Sequence, residues 1–139
     1  MSRMKKILFI CTGNACRSQI AHGLFRELAG DQFEVFSAGS HPSQVHPMSI
    51  AVMEEIGVDI SDHTSDHVDD YLDYGIDVVI TVCDNVNQAC PTFPLIVERI
   101  HWSIDDPFRG WNFNAKQMDT FRKTRTEIQE KILEFLKSH

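Results

Sequence analysis

A small doubly wound α/β fold, a four-stranded parallel sheet with helices on both faces, is predicted by three features of the sequence. Apolar runs of strand length alternate with helical patterns along the whole chain. One run, Asp77-Val78-Val79-Ile80-Thr81-Val82, is nearly continuous in apolar, mostly β-branched residues, as in a strand buried on both faces. The residues of most chemical interest, Cys11, Cys83 and Asp106, all fall just past strand ends, and in such folds ligands bind outside the carboxyl ends of the strands.

In chain order, Ile7 to Ile10 reads as the first strand, and Ile20, Leu24, Phe25 and Leu28 mark the inner side of the helix that follows. Phe33 to Ala38 forms a second strand ending at Gly39. Pro47 opens a helix with Ile50, Met53 and Ile56 inward, and Gly57 ends it. A polar turn over 60–66 leads to a short acidic helix with Val68, Leu72 and Ile76, whose Asp69, Asp70 and Asp73 form a solvated face. The β-branched run then delivers Cys83. A fourth strand, Leu95 to His101, delivers Trp102 and the segment Asp105-Asp106-Pro107. The last helix, about Ala115 to Leu136, turns Met118, Phe121, Ile128, Ile132 and Phe135 inward, with Arg125 as a polar exception.

The chain of 139 residues is read as one domain, residues 1–139, large enough to bury a core without disulfide staples. A formal net charge of -7 argues against a broad nucleic-acid or anionic-membrane surface. No apolar stretch approaches the ~20 residues of a membrane span, and the N-terminal residues do not read as a signal sequence, so a cytoplasmic location is expected. Four cysteines in this setting point to catalysis, redox chemistry or metal rather than structural disulfides.

Their positions narrow that choice. Cys11-Thr12-Gly13-Asn14-Ala15-Cys16-Arg17-Ser18 joins the first strand to the first helix. The amides of such a loop can ring an anion that also faces the positive end of the helix. Gly13 and Asn14 both tolerate positive φ. At the strand end, Cys11 is placed as a thiolate nucleophile. Arg17 brings a planar fork to the same anion, and Ser18 a hydroxyl to the sulfur. Cys16 reads as a small packing residue, with a protective disulfide to Cys11 under oxidation as the lesser alternative.

With five residues between Cys11 and Arg17 followed by Ser18, the loop resembles the phosphate loop of low-molecular-weight tyrosine phosphatases and of the arsenate reductases sharing their fold. The motif alone does not choose between those activities. Asp106, before Pro107, resembles the family's general acid, with Asp105 as an alternative. Cys83 and Cys90 then favour a reductase, because two electrons must come from thiols. With His63-Thr64-Ser65-Asp66 and His101-Trp102, the likeness to thioredoxin-coupled arsenate reductases covers nearly the whole chain.

That resemblance implies a relay. Cys11 attacks arsenate, Cys83 forms a Cys11–Cys83 disulfide and releases arsenite, and Cys90 forms a Cys83–Cys90 disulfide for thioredoxin to reduce. No tightly bound cofactor is implied, and phosphate or sulfate is expected to occupy the same loop. Glutaredoxin or a small thiol is an alternative donor, and a monomer is the default. Asn14 and Ser37 are expected to brace the loop.

Some members hold potassium through an asparagine, a glutamate, a serine and an aspartate. Asn14, Ser37 and Asp66 match, but His22 stands in place of the glutamate, so neither potassium dependence nor another metal site is expected. His63 and His67 read as solvated. The competing activities are a tyrosine phosphatase working through a Cys11 thiophosphate and a redox sensor built on Cys83 and Cys90. Phe108 and Arg109 after Asp-Pro, where the phosphatases carry tyrosines, favour the reductase.

Overall fold

The computed structural model describes residues 4–83, 93 and 96–139. Its elements are β1 (Lys5–Cys11), α1 (Arg17–Ala29), β2 (Phe33–Gly39), α2 (Pro47–Glu54), β3 (Val78–Cys83), β4 (Glu98–Ser103) and α3 (Met118–Ser138). The strands form one parallel sheet in the order β2-β1-β3-β4, with β1 paired to both β2 and β3. β1 is therefore central, and the reversal of strand order beside it puts the loop after Cys11 at the topological switch point.

Period-two alternation divides β1 between two cores. Ile7 and Phe9 face the larger cluster, with Phe25, Phe121, Ile128 and Ile132, while Leu8 and Ile10 face a smaller one with Val68, Tyr71, Ile76 and Phe93. All four β1 side chains are fully buried. The three α-helices contribute side chains to the first cluster, and the 3-10 turn Val68–Tyr71 covers the second. Phe25 makes edge contacts with Phe9, Phe33 and Phe135, tying α1 to the sheet and to α3.

Several sequence expectations need correction. Leu28 and Ile56 are exposed, because α1 turns Ile20, Leu24 and Phe25 inward and α2 ends at Glu54, before Ile56. The inward residues of α2 include Met48 and Val52 beside Met53. The acidic helix is only the turn Val68–Tyr71, after which Ile76 is buried outside any helix. β4 begins at Glu98 and includes Trp102, whereas Leu95 lies outside the described residues. Arg125 is explained by packing: its Nη1 donates to Val52 O at 2.6 Å and to Glu55 Oε1 at 2.9 Å, joining α3 to the end of α2. The solvated aspartates 69, 70 and 73 are exposed as expected. Among the described residues, no helix is long and apolar enough to cross a membrane.

Gly39, at the end of β2, is where sheet and loop press closest. A Cβ there would meet Thr12 O and come within 3.0 Å of Asn14 N and Cys11 O. The Gly39 amide meanwhile donates to Asp66 O at 2.9 Å. Gly39→Ala is expected to destabilise the fold by about 1–3 kcal/mol, because backbone rather than a flexible side chain must yield. Urea unfolding checks this, and an unchanged midpoint would contradict the close-approach account.

Candidate active site

Cys11 is the last residue of β1, and the loop 12–16 carries the chain into α1. Asn14 adopts φ of 49°, a left-handed turn that Asn accepts at lower cost than most residues. Its amide N donates to Cys11 Sγ at 3.2 Å, and its side-chain Nδ2 donates to Ser18 Oγ at 2.7 Å. Ser18 Oγ lies 2.9 Å from Cys11 Sγ. Because Ser18 already accepts from an obligate donor, its own hydrogen is free to point at the sulfur. Two hydrogen bonds thus converge on Cys11, suited to a thiolate.

No side chain caps the N-terminus of α1 at Cys16, and the positive end of that helix faces the loop. Arg17 is buried and its Nη1 donates to Ile104 O at 2.9 Å, while Nη2 stands 3.5 Å from Asp106 Oδ2. The other carboxylate oxygen of Asp106 accepts from Phe108 N at 3.0 Å. Asp106 is thereby aimed at the loop, whereas Asp105 is exposed. Cys11, Thr12, Arg17, Asp106, Phe108 and Trp111 share the lining of one pocket of about 350 Å³. The described residues therefore gather the Cys11 sulfur, the Arg17 guanidinium and the Asp106 carboxylate from β1, α1 and the segment after β4.

Cys16 also borders the pocket, but burial first, then the nearby Asp106 and Cys11, push its thiol up to about 12. It stays protonated and packs in the main core, in line with the packing role. Cys83 closes β3 at the same sheet edge as Cys11. Cys90 lies outside the described residues, as does the segment 84–90.

A second layer supports the loop, and only part of it was visible in the sequence. Gln19 Nε2 donates to Asn14 O at 3.0 Å and to Thr64 O at 2.9 Å. Arg26 Nη1 can only donate to His63 Nε2, at 2.9 Å, so His63 carries its proton on Nδ1 and gives it to Gln19 Oε1 at 2.9 Å. His63 is thus a half-buried link rather than a solvated residue. His67, more open, accepts from Asp69 N as the cap of the 3-10 turn. Ser37 Oγ lies 2.9 Å from His22 Nδ1 on α1, and the His22 ring lies 4.4 Å from that of His63. Gln19 gives no local signal in the sequence, since a partly polar first helical turn is ordinary.

The residues do not fit a potassium ion. Asn14 Oδ1 accepts from Asp66 N at 2.9 Å, and the Asp66 carboxylate accepts from Thr64 Oγ1 and Tyr71 OH. His22, beside His63 and Arg26, supplies an imidazole under cationic influence where a hard cation needs a carboxylate. Among the described residues, no cluster of His, Cys, Asp or Glu is arranged to hold a metal.

Burial first, then His63 and Arg26, lower His22 to about 3. Burial and Arg26 also lower His63. Below pH 6.5 the unfolded chain therefore takes up a proton that folded His22 refuses. Its stabilising contribution is complete above pH 6.5 and declines as pH falls toward 3. Urea unfolding should show stability falling across that window, with a shallower decline in His22→Gln. Equal slopes in the two proteins would contradict it.

The family model for low molecular weight phosphotyrosine protein phosphatase matches residues 6–138. An arsenate reductase of Halalkalibacterium halodurans is 40% identical over 131 residues, covering 94% of each chain. A solved arsenate reductase in a phosphate-binding state superposes with a TM-score of 0.76 at 34% identity, covering 97% of this chain and 98% of that one. A thioredoxin-dependent arsenate reductase of Corynebacterium glutamicum gives 0.76 at 33% identity, covering 99% of this chain and 62% of that one. These matches span the loop, the sheet and the closing helix alike, and the chain belongs to the low molecular weight phosphotyrosine protein phosphatase family, on its arsenate reductase side.

Proposed function

We propose that the protein is a thioredoxin-dependent arsenate reductase, a single cytoplasmic domain of residues 1–139 that works as a monomer. The observation that carries this is the pocket itself. Cys11, held by Ser18 and the Asn14 amide, shares it with Arg17 and Asp106. The arsenate reductases among its relatives, one of them thioredoxin-dependent, support that reading over hydrolysis of a phosphoester. Among the described residues, Phe108 and Trp111 supply the aromatic lining.

Arsenate enters the loop with its oxygens on the amides of 12–18 and the Arg17 fork. The Cys11 thiolate attacks arsenic: a sulfur–arsenic bond forms, an arsenic–oxygen bond breaks, and the oxygen leaves as water with a proton from Asp106. Ser18 steadies the sulfur before attack. Cys83 then attacks Cys11 Sγ, and the sulfur–arsenic bond breaks with its electron pair on arsenic, releasing arsenite and leaving the Cys11–Cys83 disulfide. Cys90 attacks Cys83, Cys11 departs as thiolate, and the Cys83–Cys90 disulfide is reduced by the two thiols of thioredoxin. Two electrons thus pass from thioredoxin to arsenic, and the loop regains its nucleophile.

Arsenate-dependent NADPH oxidation in the presence of thioredoxin and thioredoxin reductase tests this reading. Turnover is expected in the wild type, with Cys11→Ser, Cys83→Ser and Cys90→Ser each losing it by at least about 10³-fold and Asp106→Asn by about 10²-fold. Arsenate-independent turnover, or turnover that survives Cys83→Ser, would overturn the relay. Robust hydrolysis of an aryl phosphate with no arsenate reduction would favour the phosphatase.

A further inference from the structure

His46 is fully buried, yet neither of its ring nitrogens is idle. Met48 N can only donate, and it does so to His46 Nδ1 at 3.1 Å. The neutral ring therefore carries its proton on Nε2, which donates to Gly110 O at 2.7 Å. The same ring stacks on Trp111, with centroids 5.3 Å apart and planes 19° apart, and meets Phe108 edge-on at 5.6 Å. On its backbone side, His46 N donates to Ala15 O at 3.1 Å, and Ser49 Oγ donates to that oxygen at the same distance.

One residue thus joins two parts of the active site that are far apart in sequence. Its backbone grips the oxyanion loop, and its side chain grips the turn that carries Asp106. Among the described residues, Phe108 packs against the main core and seats the near half of that turn, and His46 meets its far half, Gly110 and Trp111. Asp106 Oδ1 accepts from Phe108 N, Arg109 Nη1 donates to the carbonyls of Asp106 and Phe108, and Gly110 takes φ of 100°. The first three contacts are internal to the turn, so they shape it without placing it.

We propose that His46 is a positioning residue: its Nε2–H bond to Gly110 and its stack on Trp111 hold the 106–111 turn against the oxyanion loop, keeping Asp106 in the pocket it shares with Cys11. The effect on rate rests on the reductase reading above, whereas the effect on the turn does not. His46→Asn separates the two duties of the side chain. Asn caps α2 as well as His does, by accepting from Met48 N, but it is too short to reach Gly110 and has no ring to stack. Trp111→Leu removes the stack from a partly exposed position and serves as a second variant should His46→Asn fold poorly.

Single-turnover arsenate reduction and hydrogen exchange read by mass spectrometry together test this. His46→Asn is expected to lower the rate about tenfold, the loss of one hydrogen bond in the transition state, with the concentration of arsenate giving half the maximal rate within about twofold of wild type. In an Asp106→Asn background the same substitution should cost less than about twofold, because His46 acts through Asp106. Trp111→Leu should show the same dependence on Asp106 with a smaller loss. Amides of 108–111 should exchange faster in both variants, while those of 12–18 keep their wild-type rates.

A full tenfold loss in the Asp106→Asn background, weakened arsenate binding with faster exchange in 12–18, or unchanged exchange in 108–111 would each overturn the proposal. A wild type that reduces no arsenate counts against the reductase reading, and exchange then decides the positioning role alone.

Discussion

The structure depends on one left-handed residue. Asn14 turns the chain so that its own amide faces Cys11, and its side chain spends both ends on holding that turn: Nδ2 on Ser18 and Oδ1 on the amide of Asp66. An αL residue other than glycine costs about 1–2 kcal/mol, and here three hydrogen bonds offset it. The sulfur sits where the central strand ends, at the rim of a sheet whose buried strands do not yield. Preorganisation of this kind favours catalysis because the donors need no rearrangement when charge develops.

Around that turn the supports come from distant elements. Gln19 holds the Asn14 carbonyl and is itself held by His63, which Arg26 orders. His46 and Ser49 hold the Ala15 carbonyl, one residue further on. Arg17 is anchored on the Ile104 carbonyl just after β4. A loop of eight residues, Cys11 to Ser18, is thus fixed from the 60s segment, the start of α2 and the segment carrying Asp106. His22 and His63 are pressed together, with Arg26 donating to His63, so side chains of α1 and the 60s segment brace one another beside the loop.

Much of the fold was legible, because burial on both faces writes long apolar runs and the sheet needs them in alternation with helices. β1 and β3 are examples, as are the inward face of α3 and the placing of Cys11, Cys83 and Asp106 at one edge. Helix limits were less legible: Ile56 continues the spacing of α2 but falls beyond its end, and Leu28 continues that of α1 but faces outward. The loop residues were read from spacing because their chemistry is local. His46, Gln19 and Trp111 were not, since their roles depend on partners 30 or more residues away that no local pattern records. A histidine before a proline looks like an ordinary helix entry until the Gly110 carbonyl appears above it.

The proposed reaction turns on a sulfur that bonds to arsenic and is then released by a second thiol of the same chain. The most direct measurement is a single turnover of Cys90→Ser with arsenate and no external thiol, followed by disulfide mapping and arsenite quantification. One arsenite per protein together with a Cys11–Cys83 disulfide is the expected result. Arsenite without that disulfide, a Cys11–Cys16 disulfide in its place, or Cys11 left as a free thiol with arsenate unconsumed would contradict it.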